Sequence, residues 1–134
     1  MRRFLLVLIL ALTLAACGQT ESAGSLATGQ TLTVDGVTIN LQAQPAQAVQ
    51  NQQQTWLITL TDAAGKPIDN ADVYLELEMP AMPMGQNNPL ATPKGSGTYQ
   101  AQGLYSMGGA WHVVVHADFN GTDHIAQFTI NVNE

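Results

Sequence analysis

The residues of this sequence that could do chemistry carry sulfur, and they are clustered. Met79, Met82 and Met84 fall in one Pro-containing stretch, so that three of the five methionines lie within six residues. A fourth, Met107, is followed closely by His112. Soft thioether ligands select Cu(I) over zinc or magnesium. These residue types therefore indicate a site for a soft metal ion.

The three clustered methionines have different expected environments. Met79 continues the alternation of Val73, Leu75 and Leu77, and so it is predicted to fill a gap in the core. The other two lie among prolines, which favour extended backbone. Residues two apart in an extended segment face the same way, about 6–7 Å from each other. The alternative is that these two thioethers plug one end of the fold or form an apolar surface for a partner.

The second half of the chain predicts a long hairpin. Asn120-Gly121 is typical of a two-residue turn and pairs Phe119 with Thr122. In that register one face of the hairpin is apolar throughout, which predicts these core residues: Trp111, Val113, Phe128 and Ile130.

The same register argues against a histidine metal site. His116 and His124 fall on opposite faces, while His112 and His116 share a face but are about 13 Å apart. We therefore expect all three histidines to be surface side chains. Only His112, close in sequence to Met107, is a candidate ligand.

The N-terminus indicates export. Residues 1–16 combine Arg2 and Arg3 with an apolar run and small residues, the pattern of a secretory signal peptide. The only cysteine, Cys17, follows at once, and the pattern resembles the lipobox of bacterial lipoproteins. That resemblance implies cleavage before Cys17 and acylation of its thiol. Residues 17–30 are then expected to form a flexible Gly/Ser/Thr/Gln tether. The protein is expected in the cell envelope, outside the cytoplasm and anchored to a membrane by its lipid. If the cell is Gram-negative, that location is the outer membrane or the periplasmic face.

The charge and cysteine content of the sequence restrict the kinds of molecule that this protein can bind. Removing Arg2 and Arg3 takes the formal net charge from −6 to −8, and only Lys66 and Lys94 remain as cations. An acidic surface repels phosphate backbones, so nucleic acid is excluded as a partner, and membrane attachment must come from the lipid. One cysteine allows no internal disulfide, so the domain must be held by its core.

Short alternating runs define the fold class. Asp35-Gly36 predicts a hairpin that pairs Val34 with Val37, and residues 55–61 and 72–78 alternate between apolar and polar. Residues 42–54 and 86–96 are expected to be mostly polar loop. The prediction is one all-β domain over residues 31–134, a single Ig-like antiparallel β-sandwich of about seven strands.

Four pieces of sequence together resemble the YtkA-like family of exported Ig-like domains, which is similar in style to FixH-type and CopC-like proteins. They are LTDAAGKP at residues 60–67, ADV at 71–73, EMPAMPMG at 78–85, and GTY at 97–99 with MGGAW at 107–111. The family implies a small exported or membrane-tethered β domain, in some members connected with copper handling or oxidase assembly. Relatives often carry a histidine in or after the Met loop, where this chain has Gln86 and Asn87.

The function expected from residues and resemblance together is an exported lipoprotein that binds Cu(I), as a chaperone or buffer in copper handling or oxidase assembly. The expected ligands are Met82, Met84, Met107 and His112, provided that the two loops meet at one end of the sandwich. The expected partner is a copper protein or a membrane complex. A metal-free docking module is the alternative, and no catalytic motif indicates an enzyme.

Overall fold

The computed structural model describes residues 29–83 and 85–134, and within them the chain forms two packed β-sheets and no helix. One sheet has the strand order β1-β2-β4-β7-β6 and the other β3-β9-β8-β5. All pairings are antiparallel except β3 with β9. The strands are β1 (Gln30–Val34), β2 (Val37–Gln44), β3 (Ala48–Val49), β4 (Gln53–Thr61), β5 (Asp72–Glu78), β6 (Thr92–Gly95), β7 (Thr98–Leu104), β8 (Gly109–Phe119) and β9 (Thr122–Asn133).

Two tight turns set the register of the β1–β2 and β8–β9 hairpins. Asp35 and Gly36 have φ of 49° and 80°, and Asn120 and Gly121 have φ of 53° and 76°. Two consecutive positive φ values are what a two-residue hairpin turn requires, and Asn, Asp and Gly accept them most easily. The predicted pairings follow: Val34 lies opposite Val37 in the first hairpin, and β8 pairs with β9 in register from Phe119 opposite Thr122 to Gly109 opposite Val132.

The core lies between the sheets and is built from the alternate residues of each strand. The side chains of Trp56, Ile58 and Leu60 on β4 are fully buried. The facing sheet contributes Leu75 and Val115, among others. Because strand side chains alternate between faces, every second residue of these runs enters the same core.

Aromatic side chains fill one end of this core. The rings of Trp56 and Tyr105 meet edge to face with centroids 5.6 Å apart, and Tyr105 meets Trp111 at 5.3 Å. Aromatic pairs prefer such tilted arrangements because the ring edge is positive and the ring face negative.

Two segments that the sequence predicts as loop contain strands. Ala48–Val49 forms β3 beside the end of β9, and Thr92–Gly95 forms β6 beside β7. Both strands are too short to show an apolar period, which is why alternation does not find them. Residues 87–91 also bond to β5, since the amides of Leu75 and Leu77 donate to the carbonyls of Pro89 and Asn87.

Several sequence predictions fall outside the described residues. These are the signal peptide over residues 1–16, the acylated Cys17, the tether up to residue 28, and Met84. The described chain begins at Gly29, and β1 begins at Gln30, the last residue of the predicted tether. No helix capable of spanning a membrane occurs in the described part of the chain.

Candidate functional site

The methionine-containing loop follows β5 and borders a groove of about 330 Å³ at one end of the sandwich. The loop opens with a turn in which the amide of Met82 donates to the carbonyl of Met79 at 3.0 Å. The groove is lined by the end of β5 and by both limbs of the loop: Glu76, Leu77, Glu78, Met79, Pro80, Pro83, Gly85, Gln86, Asn87 and Asn88. Apolar, amide and carboxylate groups therefore face the same space.

Met79 has the inward phase that the alternation predicts. It is half-buried and packs against the core. Its terminal methyl approaches the backbone of Gly109 so closely that a Cβ on that glycine would be 2.9 Å from it. Since Gly109 begins β8 two residues after Met107, the start of the methionine loop lies beside the end of the β7–β8 loop.

Met82 lies in a different environment from Met79. Its side chain is 48% exposed, among the few large apolar side chains of the described chain that remain so open. A side chain this exposed adds little to the hydrophobic stabilisation of the fold. Met82 is thus available for contact with something outside the domain.

Met107 and His112 are near one another in sequence but on opposite sides of their sheet. Met107 packs against the core, and its carbonyl accepts a hydrogen bond from Nε1 of Trp111 at 3.0 Å. His112 alternates with the buried Trp111, so it lies on the outer face, where its strand partner on β5 is Glu78. His112 is half-buried.

The residues predicted for the core occupy the inner face of the β8–β9 hairpin. Trp111, Val113 and Phe128 are 0–2% exposed. Ile130 is only half-buried, though it packs against the core. It borders an opening between β9 and the residues that precede β3, which leaves its side chain partly uncovered.

The expectation that all three histidines are surface side chains is wrong for two of them. His116 is 9% exposed and His124 is 7% exposed. His124 stacks on Phe119 with ring centroids 4.6 Å apart, and His116 stacks on Tyr74 at 4.4 Å. A flat imidazole can be covered by a neighbouring ring even at the edge of a core, and alternation alone does not reveal this.

His116 also joins three strands through polar contacts. Its Nδ1 lies 2.9 Å from Oδ2 of Asp123 on β9, and its Nε2 lies 3.4 Å from Oε2 of Glu76 on β5. Sequence reasoning missed this cluster because it depends on the pairing of β5 with β8, which are far apart in the chain. The described residues contain no group of three or more His, Cys, Asp or Glu side chains placed to hold a metal ion.

The carboxylates of this face act on the neighbouring tyrosine. Desolvation by burial, followed by the negative charges of Asp123, Glu76 and Asp118, raises the pKa of the Tyr74 hydroxyl above its usual value. Both effects disfavour the phenolate. Tyr74 therefore stays neutral beside His116. The outer face of this sheet combines acidic side chains with an aromatic ring stacked on a histidine.

Comparison with known proteins supports the fold and identifies the family. The crystal structure of the Lin-41 filamin domain superposes with a TM-score of 0.52 at 15% sequence identity, covering 82% of this chain and 96% of that one. That likeness concerns the fold alone, an Ig-like sandwich. No curated protein matches the sequence. Residues 31–116, more than half of the chain, match the family model described as YtkA-like. The chain therefore belongs to the YtkA-like family.

Proposed function

We propose that this YtkA-like chain is a lipid-anchored module outside the cytoplasm that binds Cu(I) at its methionine loop, as a chaperone or buffer rather than as an enzyme. The observation that carries the proposal is the environment of Met82. Its thioether-bearing side chain is 48% exposed beside the groove, in a loop whose neighbouring Met79 is turned into the fold. A sulfur that adds little to the core is available to a soft ion.

The proposed ligands are Met82 and Met84, two residues apart in the same loop. Neutral thioethers bind Cu(I) without losing a proton, and their neutrality suits an ion that must be passed on. Met107 and His112 are further candidates from the sequence. Their placement on opposite sides of a sheet argues that at most one of them joins the loop methionines at a single ion.

The test is a Cu(I) titration of the full chain in detergent against a competing chelator, under anaerobic conditions and at neutral and acidic pH. An imidazole must lose its proton to bind, with an ordinary pKa of about 6.5, so a histidine-dominated site weakens below that pH. A thioether site does not. We expect binding to persist in acid and to be lost in Met82→Leu/Met84→Leu, which keeps the shape of the side chains and removes both sulfurs.

Met79→Leu is the matched control, because it removes a sulfur from the same loop at a position that packs against the core. Its affinity for Cu(I) should equal that of the wild type. His112→Ala and Met107→Leu, made singly, test the two remaining candidates. If the double variant binds Cu(I) as the wild type does, the loop methionines serve packing or partner contact and the copper proposal fails.

A metal-free docking module is the second candidate function, and one observation favours it. Leu90 is 79% exposed on the segment that covers β5, and Met82 is 48% exposed in the loop that follows β5. Both side chains are apolar and open to solvent, and flexible methionines suit surfaces that adapt to a partner. Photo-crosslinking from positions 82 and 90 in cells tests this function. Cross-links to a membrane complex, from a chain that retains no copper, would favour docking over copper binding.

A further inference from the structure

The edges of a β-sheet expose unpaired backbone groups that can pair with another chain, and proteins usually block them. In this domain the free edge of β5 is covered by residues 87–91 through three backbone hydrogen bonds of 2.9–3.1 Å. The edge strand β6 carries Pro93 and Lys94 and has an irregular register. The edge strand β1 is five residues long. Each of these edges carries a feature that discourages pairing.

Among the described residues, the edge of β9 has no strand hydrogen-bonded to it over its first half, although β1 of the facing sheet lies close beside β9. β3 pairs with β9 only at Val132 and Asn133, and the side-chain amide of Gln30 donates to the carbonyl of Thr129 at 3.3 Å. From Thr122 to Phe128 the outer edge has no strand partner among residues 29–83 and 85–134. This half of β9 contains no proline and no lysine, and its pairing with β8 is regular throughout.

The turn before β9 determines which backbone groups point out of this edge. In a two-residue hairpin the residues flanking the turn bond to each other, so Thr122 and every second residue after it face β8. The N–H and C=O groups of Asp123, Ile125 and Gln127 must therefore point away from β8. The contact of the Thr129 carbonyl with Gln30, on the same outward side, agrees with this alternation.

The side chains along the open edge are self-complementary. Ile125, at the centre, is 48% exposed, which is unusual for an aliphatic side chain on a strand of this domain. Asp123 and Gln127 flank it at equal distances in sequence. A two-fold axis through Ile125 would place Ile125 against its own copy and Asp123 against Gln127. No like charges then oppose each other, and the exposed isoleucines cover one another.

We propose that two copies of this chain associate through β9, antiparallel and centred on Ile125, to form one continuous sheet across the dimer. Such an interface uses the same patch on both subunits, as two-fold dimers do. The three outward residues of each strand satisfy their backbone groups in the pairs 123 with 127, 125 with 125, and 127 with 123. The edge lies toward the β8–β9 turn, at the far end of β8 from Gly109 and the methionine loop, so this proposal does not depend on copper.

The formal net charge, −6 for the full sequence and −8 without Arg2 and Arg3, opposes association of two copies at long range. Added salt screens that repulsion, while backbone hydrogen bonds and apolar contact between the isoleucines are screened much less. The dimer should therefore strengthen as salt is raised. A complex held by attraction between opposite charges would weaken instead.

The register can be tested by disulfide formation in the full chain, expressed in a bacterial host and oxidised in membranes with diamide. Directly opposed residues of a hydrogen-bonded antiparallel pair have Cα atoms about 5.5 Å apart, within the range that a disulfide spans. Ile125→Cys should therefore give a covalent dimer through position 125, verified by mass spectrometry. The wild type, whose only cysteine is Cys17, measures the background of covalent dimer formed through that residue.

Gln127→Cys is the matched control, since it is exposed, on the same face and two residues away. In the proposed register its two copies are four residues out of alignment, about 13 Å apart, and cannot be bridged. We expect about tenfold more dimer from Ile125→Cys than from Gln127→Cys, because only the first pair is within reach. The double variant Asp123→Cys/Gln127→Cys should cross-link again. Equal dimer from the two single variants would overturn the proposed pairing.

Ile125→Lys provides the second measurement, because it opposes two cations at the two-fold axis and adds the lysine that protected edges carry. Sedimentation of the detergent-solubilised full chain should show a dimer for the wild type and for Ile125→Val, and a monomer for Ile125→Lys. The unfolding temperature of Ile125→Lys should equal that of the wild type when the wild-type value is extrapolated to low protein concentration. This equality would show that the monomeric variant still folds. A wild type that is monomeric at every salt concentration would contradict the proposal.

Discussion

The terminal methyl of Met79 lies against the backbone of Gly109: an ideal Cβ on that glycine would be 2.9 Å from the methyl carbon, so the flexible Met79 side chain would have to shift to admit it. Gly109 also has φ of +122°, a conformation that side-chain-bearing residues rarely adopt. The contact places Met79, at the start of the methionine loop, against the start of β8. It explains how a side chain beside the groove can be held while its neighbour Met82 remains exposed.

Gly109→Ala should therefore destabilise the domain by about 1–3 kcal/mol, mainly from backbone strain at φ of +122° and to a smaller extent from the shift of Met79. Urea unfolding measures the change. Gly121→Ala is the control, because it has positive φ but nothing within 4 Å of the added carbon, so only strain remains. In a double-mutant cycle Met79→Ala should recover part of the loss in Gly109→Ala. Additive losses from Met79→Ala and Gly109→Ala in that cycle would show that the contact does not matter.

The Trp56–Tyr105 pair predicts a measurable alkaline transition. Nε1 of Trp56 donates to the buried Tyr105 hydroxyl at 3.3 Å. Desolvation raises the pKa of Tyr105 from 10.0 to about 12, although the hydrogen bond from Trp56 lowers it slightly. Because the folded pKa is the higher one, the stabilisation is fully present below pH 10 and is lost as the pH rises through about 12.

Tyr105→Phe removes the acceptor of the Trp56 N–H and should cost about 1–3 kcal/mol at neutral pH, since a buried donor is left unpaired. The difference in unfolding free energy between wild type and variant should narrow from pH 10 upwards. Denaturant unfolding at several pH values measures it. A difference that stays constant up to pH 12 would contradict the raised pKa of Tyr105.

Truncation of Trp111, near the start of β8, should be severe. Trp111 is 2% exposed and touches the Tyr105 ring, so Trp111→Ala leaves a large cavity and should cost about 3–5 kcal/mol. Trp111→Phe keeps much of the volume and loses the hydrogen bond to Met107, so its loss should be smaller. Unfolding followed by circular dichroism compares them. A loss of unfolding free energy below about 1 kcal/mol for Trp111→Ala is what a surface residue would give, and it would contradict the burial of Trp111.

The N-terminal prediction concerns Cys17 and rests on the sequence alone. The wild type should incorporate a fatty-acid label in a bacterial host and fractionate with membranes, because the cysteine follows a signal peptide at the expected cleavage position. Cys17→Ala should lose the label. Equal labelling of the two chains, or a wild type found in the soluble fraction, would refute lipid anchoring.

The strand pattern of this chain could be predicted wherever the constraint is local. The turn at Asn120-Gly121 and the alternation from Trp111 onwards specify the register of β8 with β9, because a slip of one residue would turn every apolar side chain outward. The inward phase of Val73, Leu75 and Leu77 was predictable for the same reason. Short strands such as β3 were not, since two residues carry no period.

The sequence by itself determined the fold class, the two hairpin registers and the clustering of methionines in one loop, because turn chemistry and period-two alternation act between neighbours in the chain. Only the tertiary structure decided that Met79 packs on Gly109, that His116 is stacked under Tyr74 between two carboxylates, and that β9 keeps an unpaired edge. Those relationships join strands far apart in sequence. They depend on which strand lies beside which, and no local pattern specifies that.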